Sequence, residues 1–272
     1  MKIINTIEAF RTLNIKASLG FVPTMGALHS AHLTLIERSV EENERTVVSI
    51  FVNPTQFNDP RDLDVYPKPL EDDIRKCENA GADYVFIPKI KTMYFDDEVL
   101  VEAPKGIGDI LEGACRPGHF NGVLRVVLKL LNIVKPDKLY LGQKDAQQLA
   151  IITKMVKDFF IDVDVVPCEL IREDNGLAMS SRNTLLSSDE RQKALLLSKA
   201  LFSAKNLVEE GERNLDTIKK NMINILSGTS KIEYVEILAR DFSAIEKLEI
   251  DNAIILVAAM VGKTRLIDNI LL

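Results

Sequence analysis

Two of the three histidines in this chain lie in one tetrapeptide, His29-Ser30-Ala31-His32. The residues before it predict a short apolar strand that ends in a glycine-containing turn, and those after it have the apolar spacing of an amphipathic helix. The first turn of a helix presents free N–H groups and a positive dipole end, both of which favour phosphate. Imidazoles at this point would add donors that bind phosphate oxygens and stabilise a leaving pyrophosphate.

Two other interpretations of these histidines remain open from the sequence. The pair could be surface residues at a helix cap that bind no ligand. Alternatively, His29, His32 and the distant His119 could be three ligands of a zinc ion. Because no HExxH glutamate or nearby carboxylate completes such a zinc site, phosphate binding is the favoured interpretation.

A second polar segment, Gly142-Gln143-Lys144-Asp145, follows a predicted strand and precedes a predicted helix that carries Gln148. Ligands of parallel α/β sheets bind beyond the carboxyl ends of the strands. Lys144 could therefore neutralise phosphate, and Asp145 could accept hydrogen bonds from ribose hydroxyls. Taken alone, the segment is better explained as an ordinary polar turn with Asp145 as the N-cap of the helix.

A third segment, Met179-Ser180-Ser181-Arg182, combines two hydroxyls and a guanidinium. These groups would form a compact clamp for an anion, because arginine offers two parallel donors. The alternative is a surface loop that leads into the next helix. Its place near a predicted domain junction favours a hinge or a mobile phosphate-binding loop.

Gln56 follows the second predicted strand, where a substrate pocket would lie. An amide can donate to a carboxylate and accept from a hydroxyl, so Gln56 could bind a substrate that carries both groups. Met25, Phe57 and Tyr66 could supply apolar walls. The alternative is a loop amide whose hydrogen bonds are satisfied within the protein.

Two further charged segments could bind an ion, but the sequence supports this role less strongly. Asp72 and Asp73 could hold Mg²⁺ beside a triphosphate, although a solvated helix face is the favoured interpretation of their charge. The turn Arg116-Pro117-Gly118-His119-Phe120 carries an arginine and a histidine that could approach an anion.

The composition excludes several classes of protein. Hydrophobic residues make up 46% and charged residues 27%, which is typical of a folded globular protein rather than a disordered chain. The net charge of −6 argues against a general nucleic-acid binder, which needs a basic surface. The three widely spaced cysteines fit neither a metal knuckle nor a disulfide framework, and no segment has the ~20 apolar residues of a membrane span. We therefore expect a cytoplasmic protein without a signal peptide and without a nucleic-acid or membrane partner.

Strand-like runs alternate with amphipathic helical stretches through the first part of the chain, which predicts βαβ units and a parallel sheet. The pattern changes near the turn Asp174-Asn175-Gly176, after which two helices precede three strands. The predicted fold class is therefore α/β, with a parallel-sheet domain over residues 1–174 and a smaller α+β domain over residues 175–272. The predicted strands are Leu19–Pro23, Thr46–Val52, Asp83–Ile87, Lys138–Leu141, Val163–Val166, Lys231–Leu238, Ala253–Val261 and Arg265–Asn269. The predicted helices are Ser30–Glu42, Leu70–Ala80, Gly122–Val134, Asp145–Phe160, Ser187–Glu210 and Asp216–Leu226.

Taken together, six ordered segments resemble the pantoate–β-alanine ligase family, which belongs to the HxGH nucleotidylyltransferase superfamily. An HxGH-like motif alone is weakly specific, whereas the ordered set covers most of the chain. The segments are Pro23-Thr24-Met25-Gly26-Ala27-Leu28-His29, Ser49-Ile50-Phe51-Val52-Asn53-Pro54, Arg116-Pro117-Gly118-His119-Phe120, Gly142-Gln143-Lys144-Asp145, Gly176-Leu177-Ala178-Met179-Ser180-Ser181-Arg182-Asn183 and Thr264-Arg265-Leu266-Ile267-Asp268-Asn269.

The resemblance implies a Rossmann-like domain that binds ATP and pantoate, a C-terminal domain that acts as a lid, and a homodimer. It also implies a reaction in two steps, with Mg²⁺ entering with ATP. The pantoate carboxylate attacks the α-phosphorus of ATP and releases pyrophosphate. The amine of β-alanine then attacks the bound pantoyl adenylate, which gives pantothenate and AMP.

The resemblance also implies roles for individual residues. His32 would be the main catalytic residue, assisted by His29 and Lys144. Gln56 and Gln148 would bind pantoate, with Gln56 near β-alanine. Ile171 would contact adenine through its backbone. The ATP-binding residues would be Met25, Gly26, Ala27, Leu28, His29, Ser30, Ala31, His32, Gly142, Gln143, Lys144, Asp145, Ile171, Met179, Ser180, Ser181 and Arg182.

Two positions depart from the family pattern. Ala31 stands where glycine is usual, and its Cβ could crowd a nucleotide that approaches the backbone. Because alanine suits the start of a helix, we expect a modest shift of the nucleotide rather than a loss of binding. Gln143 stands where an acidic residue is common, which leaves its role open.

Two rival functions remain from the sequence. A nucleotidylyltransferase would join a nucleotide to a phosphorylated substrate, but the paired amides Gln56 and Gln148 favour an uncharged polyol end. A catalytically silent nucleotide-binding protein is suggested by Ala31. Incubation with ATP, pantoate and β-alanine, followed by identification of the products, separates all three functions.

Overall fold

A computed structural model describes residues 1–58 and 60–272 of the chain. The described residues divide into two compact units. The first unit contains residues 1–143 and 147–169, and the second contains residues 144–146 and 170–272.

The first unit is built on a six-stranded sheet whose strands all run parallel, in the order β1-β4-β3-β2-β5-β6. The strands are β1 (Lys2–Ile4), β2 (Leu19–Thr24), β3 (Arg45–Ile50), β4 (Tyr84–Phe86), β5 (Lys138–Gly142) and β6 (Asp164–Cys168). The helices are α1 (Ile7–Arg11), α2 (Ser30–Glu42), α3 (Pro60–Asp64), α4 (Leu70–Asn79), α5 (Ile90–Met93), α6 (Glu112–Cys115), α7 (His119–Val134) and α8 (Ala146–Asp158).

The central strands are apolar on both faces because helices cover both sides of the sheet. Val47 and Val48 point to opposite faces of β3, and both are fully buried in separate hydrophobic clusters. In β2, Phe21 and Val22 divide between the same two clusters. The sequence pattern of continuous apolar runs therefore reflects a sheet with a core on each face.

The strand order creates a point at which a ligand can bind. The chain runs from β2 outward through β3 to β4, and then returns to place β5 on the other side of β2. In such sheets, the connections leave β2 and β5 in opposite directions and open a crevice beyond their carboxyl ends. The segments that follow Thr24 and Gly142 lie at this edge of the sheet.

Helix α2 is fixed to β5 at its far end. Glu42 pairs with Arg38 at 2.8 Å, and its other oxygen accepts a hydrogen bond from the Tyr140 hydroxyl at 2.9 Å. Two hydrogen bonds lower the pKa of Glu42 to about 2, and the one from Arg38 contributes more than the one from Tyr140. These contacts help to set the orientation of the helix whose first turn follows His29.

The second unit has an antiparallel sheet in the order β7-β8-β9, covered by two helices. Its strands are β7 (Lys231–Ala239), β8 (Ala253–Val261) and β9 (Thr264–Leu271), and its helices are α9 (Ser188–Glu209) and α10 (Leu215–Leu226). Ser187 and Glu190, three positions apart in the sequence, form a capping box at the start of α9. Gly211, with φ of +104°, follows that helix in the left-handed region, as expected of a C-terminal stop.

The predicted fold class is confirmed, whereas several boundaries differ. The second unit begins at residue 170 rather than 175 and also includes Lys144–Ala146. Residues 170–174 join it because Arg172 bridges to Ala178 and forms an ion pair with Asp268. Strand β3 ends at Ile50 rather than Val52, since Asn53 caps a helical turn, Pro54–Gln56. Helix α7 begins at His119, three residues before the predicted start, because Gly118 in the left-handed region sets its N-terminus.

The three cysteines differ in their surroundings. Cys77 and Cys168 are buried, and burial raises the pKa of both thiols, that of Cys77 to about 12. Cys115 is exposed. Among the described residues, no helix combines the length and the hydropathy needed to cross a membrane.

Candidate active site

The turn between β2 and α2 has an uncommon backbone. Gly26 and Ala27 are both in the left-handed region, with φ of +81° and +51°. Glycine adopts this conformation readily, whereas alanine does so at a cost of roughly 1–2 kcal/mol. His29 then returns to extended backbone and is the N-cap residue of α2, so the positive end of the dipole of this helix lies directly after it.

The two histidines of the turn lie against each other. Their ring centroids are 4.0 Å apart, and the backbone N–H of His29 donates to Nδ1 of His32 at 3.3 Å. Because Nδ1 accepts this hydrogen bond, a neutral His32 ring carries its proton on Nε2. His32 therefore has a defined tautomer with an Nε2–H donor, which suits binding to a phosphate oxygen.

Asp73 has a different role from the one that its sequence suggests. Its side chain is 1% exposed, so the expectation of a solvated face is wrong for this residue. Its two oxygens accept hydrogen bonds from the backbone N–H groups of Ala27 and Leu28, each at 2.8 Å. Asp72 is more exposed and pairs with Arg75 and Lys76. Both oxygens of the Asp73 carboxylate are thus engaged in holding the backbone of the turn.

Gln56 lies at the end of the turn that follows β3, and it is 7% exposed. The orientation of its amide follows from Asn53. Burial raises the pKa of the Tyr94 hydroxyl, which stays protonated and donates to Oδ1 of Asn53 at 2.6 Å. The Asn53 Nδ2 group donates to the carbonyl of Gly122 at 3.1 Å and to Oε1 of Gln56 at 2.9 Å. The Nε2 hydrogens of Gln56 are then the donors of its amide, which suits a ligand with acceptor oxygens.

His119 lies beneath this turn and supports it. Its Nδ1 is 2.8 Å from the backbone oxygen of Gln56, and its Nε2 is 3.2 Å from Nη1 of Arg116. Nδ1–H therefore donates to the carbonyl of Gln56, while Nε2 accepts from the arginine. Residues 1–58 and 60–272 contain no group of three or more His, Cys, Asp or Glu side chains that could hold a metal ion. The three-histidine zinc alternative is wrong, because His119 is occupied at Gln56 rather than placed with His29 and His32.

The neighbouring glutamines of α8 differ in their contacts. Gln147 is buried and pins a loop, since it donates to the carbonyls of Ile107 and Ile110 and accepts from the N–H of Glu112. Gln148 is half-buried on the same helix. Gln147 is thus a structural amide, and Gln148 stays a candidate for substrate binding.

A cleft in the second unit contains Lys144, Ser180, Arg182, Arg265 and Asp268. Three cations and one carboxylate line it, and the carboxylate forms a two-point ion pair with Arg172. In that pair, Asp268 accepts from both guanidinium Nη atoms of Arg172, at 2.7 and 3.0 Å. The lining is therefore positive overall, which suits an anion such as phosphate. We call this feature the second-unit cleft.

The loop that carries Ser180 is fixed by its own backbone. The N–H of Met179 donates to the carbonyl of Ile171 at 3.0 Å, so this carbonyl already accepts one hydrogen bond. Ser180 accepts from the N–H of Arg182 at 3.3 Å and begins the helical turn Ser181–Leu185. Arg182 itself is exposed. In the predicted anion clamp, Ser180 therefore caps a helical turn, and Arg182 faces solvent.

Glu173 stabilises the same loop. It binds Nδ2 of Asn183 at 2.9 Å and Nη1 of Arg191 at 2.8 Å. Burial alone would raise the pKa of Glu173, but these hydrogen bonds hold it below its ordinary value. The ionised carboxylate therefore joins this loop to the first turns of α9.

Sequence reasoning missed the residues that support these sites. Asn269 donates from Nδ2 to the carbonyl of Lys144 at 2.9 Å, and Arg265 lines the second-unit cleft. Both lie in the motif Thr264-Arg265-Leu266-Ile267-Asp268-Asn269, whose polar residues inside an apolar strand were the available signal. The contacts of Asp73 and Asn53 had no comparable local signal.

Comparisons with known proteins agree with these features. A family model described as pantoate-beta-alanine ligase matches residues 2–271. The pantothenate synthetase of Campylobacter hominis is 52% identical over 272 residues, which cover 99% of each chain. That of Helicobacter pylori is 46% identical over 275 residues, again with 99% of each chain covered.

Solved structures give the same result. A pantothenate synthetase from Thermus thermophilus has a TM-score of 0.95 and 36% identity, and 99% of each chain is covered. A pantoate-beta-alanine ligase from Francisella tularensis, complexed with beta-gamma ATP and beta-alanine, has a TM-score of 0.83 and 40% identity, with 100% of this chain and 97% of that chain covered. This chain therefore belongs to the pantoate–β-alanine ligase family.

Proposed function

We propose that this chain joins (R)-pantoate to β-alanine at the expense of ATP, releasing pantothenate, AMP and pyrophosphate. Besides family membership, one observation carries the proposal. Three neighbouring strands, β3, β2 and β5, end at the same edge of one parallel sheet. The segments that follow them contain Gln56, the His29–His32 pair and Gln143, and this edge is where such sheets bind nucleotides and their substrates.

In the first step, a pantoate carboxylate oxygen attacks the α-phosphorus of ATP. The bond from this phosphorus to the bridging oxygen breaks, and pyrophosphate leaves with the electron pair. The Nε2–H of His32 and the positive end of the α2 dipole stabilise the negative charge on the phosphate oxygens. His29, stacked on His32, adds a second imidazole to this environment.

The same proposal assigns phosphate ligands to residues of the second unit. Lys144, Ser180 and Arg182 line the second-unit cleft, with positive charge from the lysine and the arginine. We assign these residues to phosphate oxygens of ATP, together with Ser181. The roles of Asp145 at ribose and of Ile171 at adenine are part of the same proposal.

In the second step, the amine of β-alanine attacks the carbonyl carbon of pantoyl adenylate. The carbon–oxygen bond to phosphate breaks, AMP leaves with the electron pair, and the nitrogen loses a proton. Gln56 holds pantoate through its Nε2 hydrogens, because Asn53 occupies its Oε1. Gln148 supplies a second amide to the same substrate. Rigid positioning of both reactants accounts for much of the rate gain in such a ligation.

Magnesium enters this scheme as part of the substrate MgATP, held by phosphate oxygens. Asp73 is not assigned to it, because we assign its buried carboxylate to the backbone of Ala27 and Leu28. The homodimer is a proposal that rests on the family resemblance, and the cytoplasmic location is one that rests on the pattern of the cysteines. Light scattering of the purified protein tests the first, and fractionation of the cells tests the second.

Identification of the products tests the function. The protein is incubated with ATP, pantoate and β-alanine, and the products are measured by mass spectrometry, with one substrate omitted in each control. We expect pantothenate and AMP in equal amounts only when all three are present. A nucleotide joined to the acceptor would support a nucleotidylyltransferase instead, and ATP binding without turnover would support a silent nucleotide-binding protein.

A further inference from the structure

The buried carboxylate of Asp73 is not explained by the proposed reaction. It lies in the first turn of α4 and accepts from two successive backbone N–H groups, those of Ala27 and Leu28. Both hydrogen bonds measure 2.8 Å, and the side chain is 1% exposed. Such a carboxylate fixes the direction of two peptide groups at once, since each oxygen binds one of them.

The turn that Asp73 holds is also one that needs support. Gly26 and Ala27 are both in the left-handed region, and alanine adopts that region unfavourably. A Cβ on Gly26 would come within 2.8 Å of an Asp73 oxygen, which shows how closely the carboxylate approaches the turn. A strained backbone persists only where its surroundings fix it, and here the fixing group is Asp73.

Lys76, one turn further along α4, adds a third contact. Its Nζ donates to the carbonyl of Leu28 at 2.6 Å. Both backbone polar groups of Leu28 are therefore bound by side chains of α4. The Leu28 side chain is buried in the core, so the residue is fixed on both sides. His29 follows immediately, and its N–H sets the tautomer of His32.

We propose that Asp73 is a positioning residue for the His29–His32 pair and, through it, for the α-phosphate of ATP. It acts through the backbone of residues 26–28 and does not touch ATP or magnesium. The inference deepens the proposed function, since it rests on the assignment of this turn to ATP. Loss of the carboxylate frees the turn to relax, which moves both imidazoles away from the reacting phosphate and changes the environment of His32.

The test compares Asp73→Asn with the matched control Asp72→Asn, which removes the neighbouring, more exposed carboxylate. Asparagine keeps one acceptor oxygen but opposes the second N–H with an amide donor. We expect Asp73→Asn to lower the rate of pyrophosphate release and to weaken ATP binding, each by about tenfold or more, as for a lost hydrogen bond to a charged group. The KM for pantoate stays within twofold, and Asp72→Asn stays within twofold in all three quantities.

Two further measurements separate positioning from other roles. The ¹⁵N resonances of the histidine rings report the Nε2–H tautomer of His32, which we expect in the wild-type protein and altered in Asp73→Asn. We expect the Mg²⁺ concentration for half-maximal rate to be the same in the wild-type protein and in Asp73→Asn. Lys76→Met removes the contact to the Leu28 carbonyl together with the ion pair to Asp72, and the Asp72→Asn control accounts for the loss of that pair. It produces the same changes as Asp73→Asn at smaller size, and it tests the inference if Asp73→Asn does not fold.

Specific results would overturn the inference. Unchanged ATP binding and unchanged histidine resonances in Asp73→Asn or Lys76→Met would show that α4 does not position the pair. A raised requirement for Mg²⁺ in Asp73→Asn would make the residue a metal ligand instead. Failure of the proposed function is distinguishable, because the wild-type protein would then form no pantothenate while the tautomer comparison would still report the coupling between Asp73 and His32.

Discussion

Replacement of Gly122 by alanine tests how the substrate turn is held. Gly122 lies in the first part of α7, where this helix crosses the turn Pro54–Gln56. A Cβ at this position would lie 2.2 Å from the carbonyl oxygen of Thr55 and 2.7 Å from the backbone N of Gln56. Ordinary contact is ~3.5 Å, so helix and turn would have to separate by about 1 Å. Both opposing atoms are backbone, which leaves no flexible side chain to move aside.

The magnitude follows from two opposing effects. Alanine gains up to about 1 kcal/mol over glycine inside a helix. Overpacking of a rigid contact costs about 1–3 kcal/mol or more, and a backbone clash of this depth lies at the upper end. We therefore expect a net loss of roughly 2 kcal/mol, which corresponds to a fall of about 4–8 °C in the melting temperature of the first unit.

The same displacement should impair substrate binding. Asn53 links the Gly122 carbonyl to the Gln56 amide, so a shift of about 1 Å disturbs that orientation as well. We expect the KM for pantoate to rise by about tenfold, as for the loss of one buried hydrogen bond, with ATP affinity within twofold. Calorimetry and steady-state kinetics measure the two effects. Gly228→Ala is the control, since its Cβ meets only the end of the Leu196 side chain. An unchanged melting temperature together with an unchanged KM would refute this reasoning.

Four other predictions follow from the site and from the titrating groups. His32→Ala should lower the rate of pyrophosphate release by roughly 10²–10³ in single-turnover measurements, and a loss below threefold would make it a structural residue. Gln56→Ala and Gln148→Ala should each impair pantoate use by roughly 5- to 150-fold while calorimetric ATP affinity is kept, whereas a common fall in both would indicate loop stabilisation only. The lowered pKa of Glu42, about 2, contributes stability above the ordinary pKa near 4.5, and this is lost as the pH falls from 4.5 toward 2. Glu42→Gln should flatten the dependence of the unfolding free energy on pH in that window. We expect a change of up to about 1 kcal/mol, because the Arg38–Glu42 pair is partly exposed. An unchanged slope would contradict the lowered pKa of Glu42. Iodoacetamide at pH 8 should label Cys115 alone in the folded protein, as peptide mass spectrometry can show, and early labelling of the two buried cysteines would contradict their raised pKa.

Local features of the chain were predictable from sequence because they depend on neighbouring residues. Helix α2 was predicted with the bounds it has, since apolar spacing and the preceding turn define both of its ends. The capping box at Ser187 and Glu190 likewise involves residues three positions apart. The alternation of strands and helices predicted a parallel sheet, because consecutive parallel strands need a crossover.

The supporting contacts of the site were not predictable in this way. Asp73 binds Ala27 across 46 positions of sequence, and its charge looks like that of any solvated helix. The amide orientation of Gln56 depends on Tyr94, which acts through Asn53 across 41 positions. These contacts arise only when the sheet order brings distant segments together.

The fate of the pantoate oxygens tests the central claim most directly. Pantoate labelled with ¹⁸O in its carboxylate is converted with unlabelled ATP and β-alanine, and AMP, pyrophosphate and pantothenate are analysed by mass spectrometry. If pantoate is adenylated, one carboxylate oxygen stays bonded to the α-phosphorus, so each AMP formed carries one ¹⁸O and pyrophosphate carries none. Label in pyrophosphate or inorganic phosphate, or unlabelled AMP, would contradict a pantoyl adenylate intermediate and with it the role given to the turn at His29 and His32.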